Sequence, residues 1–305
     1  MESGRGPGAP ATGGLRRRPW LASALRVLVC SRVDPASVNL RDRILETGDW
    51  EATNRRFRDA PVWAQSEAVL VEIEGPSIHD EALDADLQSL GLPLRDVWFL
   101  SKHRAASGTP SLTVHPIGNH GEAKFGGQPR TLSPAAARDM GALLRRIRHH
   151  RDVAGLPHQV TYESTHHGPL MRLPSLFVEI GSDETWYSDP GSAQAVARAV
   201  QEVLRGEGKS SGPVVVGVGG GHYVPRQTDV ALAGEADFGH FVPQHAVEAE
   251  GADAGVLRRA VEATPDCAGA YLYKKGLTGT QRQTVTRWCE ELGVPLWSRP
   301  AAEPG

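Results

Sequence analysis

The chain lacks the short signatures that commonly settle a metal or redox assignment. Its 305 residues hold three cysteines, Cys30, Cys267 and Cys289, far apart and without a CxxC pair. An odd, unspaced set argues against a disulfide framework and for a reducing compartment, each thiol serving as a small buried apolar residue. There is no HExxH and no internal repeat, and no firm domain boundary stands out. No apolar run approaches the ~20 residues that cross a bilayer, so no membrane association is expected. Nor is there an excess of positive charge. The formal net charge is −3, which weighs against broad nonspecific nucleic-acid binding but allows a local basic patch.

What is present is ordinary globular composition, 40% hydrophobic and 23% charged, in a chain long enough to bury a large core. Residues 1–22 are rich in Gly, Pro, Ala and Arg, lack a signal-peptide apolar segment, and read as a disordered leader. An organellar transit peptide is the alternative, opposed by Glu2 and the scarcity of serine. Residues 23–305 read as one α/β domain. Leu25–Cys30, Val69–Ile73, Asp96–Leu100, Ser111–His115, Ser175–Gly181 and Val214–Val218 have strand patterns, and helical patterns lie between them. This alternation predicts a mostly parallel central sheet flanked by helices.

A helix is expected from an N-cap at Ser133 to His150, with a basic end of Arg145, Arg146, Arg148 and Arg151. That end reads either as cations favouring a helix C-terminus or as a phosphate contact. The segment Pro116–Arg130 is long and polar, an active-site loop or lid. Helices are also expected near Val256–Ala263 and Thr280–Leu292, the latter stopped by Gly293.

Histidine carries the functional signal. Of 12 histidines, all but His79 lie between His103 and His245, and histidine both binds metal and titrates near neutrality. The strand Gln159–Thr161 runs into Tyr162-Glu163-Ser164-Thr165-His166-His167-Gly168-Pro169. The strand Val214–Val218 runs into Gly219-Gly220-Gly221-His222-Tyr223. Strand ends deliver side chains beyond the carboxyl edge of an open sheet, where function collects. The candidates are His103, His115, His166, His167, His222, His240, Glu163 and Glu179. A single histidine is more often a hydrogen-bonded structural residue than a ligand, and His115 and His240 taken alone read that way. His79, His149, His150 and His158 read as surface residues. In an extended chain His166 and His167 would point to opposite sides, leaving one for the site unless the loop twists. The glycine run fails the dinucleotide pattern GxGxxG, because His222 stands where the last glycine belongs. Its exposed N–H groups could still bind a phosphate or oxyanion.

These motifs together resemble the archaeal and plant type of D-aminoacyl-tRNA deacylase. The resemblance rests on Asp34-Pro35-Ala36-Ser37, Leu100-Ser101-Lys102-His103, Leu112-Thr113-Val114-His115, Glu163–Pro169, Phe177–Ser182, Gly219–Tyr223 with Pro225-Arg226, and Phe238-Gly239-His240. It runs from about residue 25 to the C-terminus. Two positions depart from the family pattern: a lysine is expected near Pro243-Gln244, and an aromatic where His245 stands.

The resemblance implies a fold related to peptidyl-tRNA hydrolases and phosphorylases. It implies hydrolysis of the ester of D-aminoacyl-tRNA, a cytoplasmic proofreading reaction, with N-alkylated D-aminoacyl-tRNA as a further substrate and zinc as cofactor. The expected metal ligands are His103, His166, His222 and His240. The expected catalytic groups are His166, His167, Glu163 and Glu179, with a glutamate acting as general base or orienting a ligand on a zinc-activated water. Substrate contacts are expected from Ser101, Lys102, Gly219, Gly220, Gly221, Tyr223 and Arg226. The partner is D-aminoacyl-tRNA and the protein is expected to be a monomer. The competing readings are a zinc amidohydrolase or peptidase acting on a small substrate, and a non-enzymatic tRNA-binding module.

Overall fold

A computed structural model of the chain describes residues 24–299; the expected leader, residues 1–22, lies outside them. The first half contains β1 (Leu25–Ser31), α1 (Pro35–Thr47), β2 (Glu51–Phe57), β3 (Ala60–Gln65), β4 (Ala68–Ile73), α2 (Leu83–Ser89), β5 (Leu94–Arg104), β6 (Ser111–His115), β7 (Gly118–Asn119), β8 (Thr131–Leu132) and α3 (Ala137–Val153). There follow β9 (Gln159–Tyr162), β10 (Ser175–Ser182), α4 (Glu184–Tyr187), α5 (Pro190–Leu204), β11 (Val214–Val218), α6 (Pro225–Leu232), β12 (Asp237–Val242), α7 (Gln244–Val247), α8 (Gly255–Glu262), β13 (Cys267–Leu272), α9 (Gly279–Leu292) and β14 (Leu296–Trp297).

Two main sheets result. The large one has the order β2-β3-β4-β1-β5-β10-β6-β9, the small one β12-β11-β13-β14. β4, β1, β5 and β10 pair in parallel. Their near-continuous apolar runs are those of strands buried on both faces. The small sheet is parallel throughout. One face of the large sheet packs under α1, α3 and α5 around Leu28, Trp98, Leu112, Val178 and Val200. The other face buries Val27, Phe99 and Phe177 with Leu83 and Leu87 of α2.

Local chemistry sets the helix ends. Asp34 caps α1 by accepting from the amides of Ala36 and Ser37, and Pro35 stands in the first turn, where its missing N–H is harmless. Thr278 and Gln281 form a reciprocal capping box on α9, and Gly293 ends that helix at φ 65°. Ser133 is not a helix cap, because α3 starts four residues later. Its hydroxyl instead accepts the Met171 amide at 2.9 Å. The basic end of α3 is ion-paired within the protein. Arg145 and Arg138 both reach the fully buried Asp237 at 2.9 Å, Arg146 pairs with Glu202, and Arg148 with Asp152. Since α3 also packs on α5, β6, β9 and β12, the two pairs to Asp237 of β12 fasten the small sheet to the large one.

Candidate active site

Pleating brings the site to one face of the large sheet. Ser101, Glu179, Thr113 and Thr161 stand in register across β5, β10, β6 and β9, with Phe99, Phe177 and His115 in the row two residues away. Residues two apart share a face, so His103, Glu179, His115 and Glu163 all project from the face opposite α3 and α5. The sequence placed the site beyond the carboxyl edge, and the structure corrects this. β6 runs antiparallel to β10, so β6 and β9 carry their carboxyl ends back along the sheet, towards the amino ends of β5 and β10, and their side chains meet those of β5 and β10 on the face. Phe99 and Phe177 stack beneath, with centroids 4.6 Å apart, and His115 stacks on Phe177 at 5.1 Å.

The loop after β9 closes over this face. His166 bridges to Ile117, and His167 takes φ 43°, a left-handed turn uncommon outside glycine. The twist sends both rings the same way, to centroid distances of 4.1 and 4.9 Å from His115. Both histidines therefore join the site, rather than one alone. The loop after β11 arrives from the small sheet. Tyr223 bridges to Glu163, and the Ser164 amide donates to the His222 carbonyl at 2.7 Å.

Glu163 is the centre. It is fully buried, with Oε1 3.0 Å from His103 Nδ1 and Oε2 2.8 Å from His222 Nε2 and 3.5 Å from His166 Nε2. Glu179 Oε2 lies 3.6 Å from His103 Nδ1 and 3.7 Å from His115 Nε2. Burial favours the neutral acids, but hydrogen bonds from His103 and His222 outweigh it and hold Glu163 well below the usual carboxylate range; His103 and His115 likewise lower Glu179. Burial also opposes charge on His103, yet both glutamates raise it to about 11. His167 is lowered to about 4, and His166 well below its ordinary value, by burial and then by neighbouring histidines.

The tautomers follow from the backbone. The Nδ1 atoms of His115, His166 and His167 lie 3.1, 2.7 and 2.8 Å from the carbonyls of Pro116, Ser164 and Gly168. A neutral ring that donates from Nδ1 presents the Nε2 lone pair, the arrangement found in metal-ligating histidines. His115 Nε2 is buried with no hydrogen-bond partner, a cost that native proteins rarely carry without a purpose. Three donor groups could hold a cation: His115–His166–His167, His103–Glu163–His222 and His115–Glu163–Glu179. The cluster opens into a cleft of about 530 Å³ bounded by Val33, Ile78, Ser101, Lys102 and Phe125. A second cleft, of about 480 Å³, meets it at Phe125, His166 and His167.

The family model described as D-aminoacyl-tRNA deacylase matches residues 92–297. The chain belongs to the D-aminoacyl-tRNA deacylase family. It is 35% identical over 275 residues to the D-aminoacyl-tRNA deacylase of Methanosarcina acetivorans, covering 88% of this chain and 90% of that one. The Thermococcus onnurineus deacylase is 31% identical, with 88% and 98% covered. A crystal structure of a conserved protein of unknown function superposes with a TM-score of 0.80 at 30% identity, covering 90% of this chain and 94% of that one. The match bears out the family resemblance, the mixed α/β fold and the assignment to a hydrolase family.

Within the deacylase fold the expected site residues separate. His103, His166, His167, His222, Glu163 and Glu179 come together. His240, expected as a ligand, does not: its Nε2 lies 2.8 Å from the Ser133 carbonyl and its Nδ1 3.1 Å from Thr165 Oγ1, so both nitrogens are engaged away from the cluster. His115, read alone as structural, stands in the middle. His158, read as a surface residue, is fully buried against Trp186. The expected anion-binding amides of Gly219 and Gly220 are taken by the carbonyls of Val242 and Gly276, at 2.9 and 3.3 Å. Ser101 Oγ and the Lys102 amide bind the Asp34 carboxylate at 3.2 and 3.0 Å, which leaves the Lys102 side chain at the cleft. Tyr223 OH lies 2.8 Å from His103 Nε2. Arg226 lines a different groove. Among the described residues no helix is long and apolar enough to cross a membrane.

Proposed function

We propose that this protein hydrolyses the ester between a D-amino acid and tRNA, releasing both, in the cytoplasm where tRNA is charged. The observation that carries the reading is the convergence of five histidines and two buried carboxylates in one cluster that opens on a cleft of a deacylase fold. Zinc is the fitting cofactor, because imidazole nitrogen and carboxylate are its usual donors. His115, His166 and His167 would hold it through Nε2, their Nδ1 atoms being committed to carbonyls. Zinc there supplies a Lewis acid and brings the pKa of water towards neutrality.

The remaining work falls to the chain's own groups. Glu163 is ionised and central, and it takes the proton of the water that attacks the ester carbonyl carbon. Glu179 holds His103 and His115 in place. Charged His103 donates from Nε2 to the Tyr223 oxygen, which leaves the phenol proton for the ester oxygen. The bond between carbonyl carbon and ribose oxygen breaks, Glu163 passes the water proton to the departing oxygen, which leaves as the tRNA hydroxyl, and the amino acid leaves as its free carboxylate. The apolar wall of Val33, Ile78 and Phe125 is the surface that sorts side-chain configuration by steric exclusion. N-alkylated D-aminoacyl-tRNA is the second substrate class, with its added group at the open rim beside the half-exposed His222 ring.

Deacylation of D- and L-aminoacyl-tRNA, with and without a chelator, tests the reading. We expect D-selective hydrolysis that the chelator removes and added zinc restores. Equal hydrolysis of both configurations, or cleavage of D-aminoacyl peptides in preference to the tRNA ester, overturns it.

A further inference from the structure

A separate groove of about 850 Å³ opens at the carboxyl edge of the small sheet, outside the histidine cluster. Its described lining of twelve residues holds five basic side chains, no acidic one and three aromatics, in a chain whose net charge is −3. Arg299 is paired with Glu235 and Arg226 lies 3.7 Å from Asp229, so the uncompensated charge of the wall sits on Lys274 and Lys275.

The groove is a built feature. Arg282 Nη1 donates to the carbonyls of Lys274 and Leu277 at 2.8 and 3.0 Å, and so fixes the turn that presents Lys274 and Lys275. Both lysines are exposed and neither forms an ion pair among the described residues. Tyr273 and Trp297, both partly buried, stand beside them. The same turn is tied to the hydrolytic centre. The Tyr273 amide donates to the Val218 carbonyl at 2.8 Å, and the Gly220 amide to the Gly276 carbonyl at 3.3 Å. Arg226 of the groove follows Tyr223 by three residues, and Tyr223 touches His103. Groove and centre therefore share the Gly219–Tyr223 loop.

Cations interleaved with aromatic faces match the alternation of phosphate and base in an unpaired strand. Backbone charge supplies affinity, and base stacking on aromatic rings adds to it without sequence preference. We propose that this groove binds the unpaired nucleotides just upstream of the esterified end of tRNA, with phosphates on Lys274, Lys275 and Arg226 and bases on Tyr273 and Trp297. The identity of the RNA rests on the deacylase reading above; the groove's chemistry does not.

The test is binding of uncharged tRNA, by fluorescence anisotropy across a salt series, to the full-length protein and to K274A/K275A. Each is measured with intact tRNA and with tRNA trimmed of its unpaired 3′ nucleotides, and a melting curve checks the fold of the variant. The double substitution is expected to weaken intact tRNA roughly tenfold and to flatten the log K against log salt slope by about 1.4, two phosphates at about 0.7 each. Trimming is expected to weaken the unsubstituted protein comparably and the variant little further. An unchanged Kd and slope overturns the proposal. So does a variant that loses as much on trimming as the unsubstituted protein, because the lysines would then touch RNA elsewhere. Absence of D-aminoacyl-tRNA hydrolysis by the unsubstituted protein would defeat the deacylase reading alone, since the binding comparison involves no turnover.

Discussion

His222 Nε2 stands 2.8 Å from Glu163 Oε2, and the two residues come from different sheets. Glu163 follows β9 of the large sheet and His222 follows β11 of the small one. The buried carboxylate is thus a point where the second sheet reaches the first.

Glu163→Gln keeps the shape of the side chain and removes its charge. We expect kcat for D-aminoacyl-tRNA to fall by roughly 10²–10⁴, the usual span for a general base, with little change in KM. Activity within a few-fold of the unsubstituted protein would remove Glu163 from the reaction.

His115→Ala and His240→Ala should fail in opposite ways. The first is expected to lose bound zinc, measured by elemental analysis, while remaining folded. The second is expected to keep its metal but lose about 2 kcal/mol of stability, because it leaves the Ser133 carbonyl and Thr165 hydroxyl without their buried partner. A His240→Ala protein without metal would restore that residue to the ligand set.

The glycine run should show a positional contrast. Gly219 has φ 94°, and a methyl group there would come within 2.9 Å of Leu277 and 3.0 Å of the Tyr273 carbonyl. Gly219→Ala is therefore expected to lower stability by about 1–3 kcal/mol. At Gly221 a methyl group meets nothing within 4 Å, and Gly221→Ala should melt within a degree or two of the unsubstituted protein. Denaturant titration of both variants decides it.

Acid should weaken the fold through histidines outside the cluster. Burial lowers His240 to about 3 and His158 to about 4, below the unfolded value near 6.5. A depressed histidine binds its proton more readily when unfolded, so stability is full above about pH 6.5 and falls as pH drops towards those values. At pH 5 His240 alone accounts for on the order of 2 kcal/mol. The His240→Asn protein should show a shallower loss of unfolding free energy between pH 6.5 and 4; an identical slope would contradict the assignment.

Legible in the sequence were the parts whose physics is local. The apolar runs of β1, β5, β10 and β11 could hardly be anything but buried strands, and the capped stretch after Thr278 formed its helix. Two strands were not legible: β2 is charged and mostly exposed, and β3 buries only the small or medium side chains Ala60, Val62 and Ala64 on alternate positions, a weak apolar signal. Strand direction was also illegible. Nothing in Ser111–His115 or Gln159–Tyr162 announces that they run against β10, and that reversal moves the site from the sheet edge to its face. His115 and His240 are equally buried and look alike in sequence. Only their neighbours, an unpartnered nitrogen in one case and two filled hydrogen bonds in the other, tell them apart.

The left-handed backbone at His167 dictates how that residue must be probed. Asparagine tolerates such a φ, whereas a β-branched side chain is strained there. His167→Asn therefore deletes the imidazole while sparing the bend that aims His166. His167→Val would disturb both at once, and its inactivity would say nothing about which ring mattered.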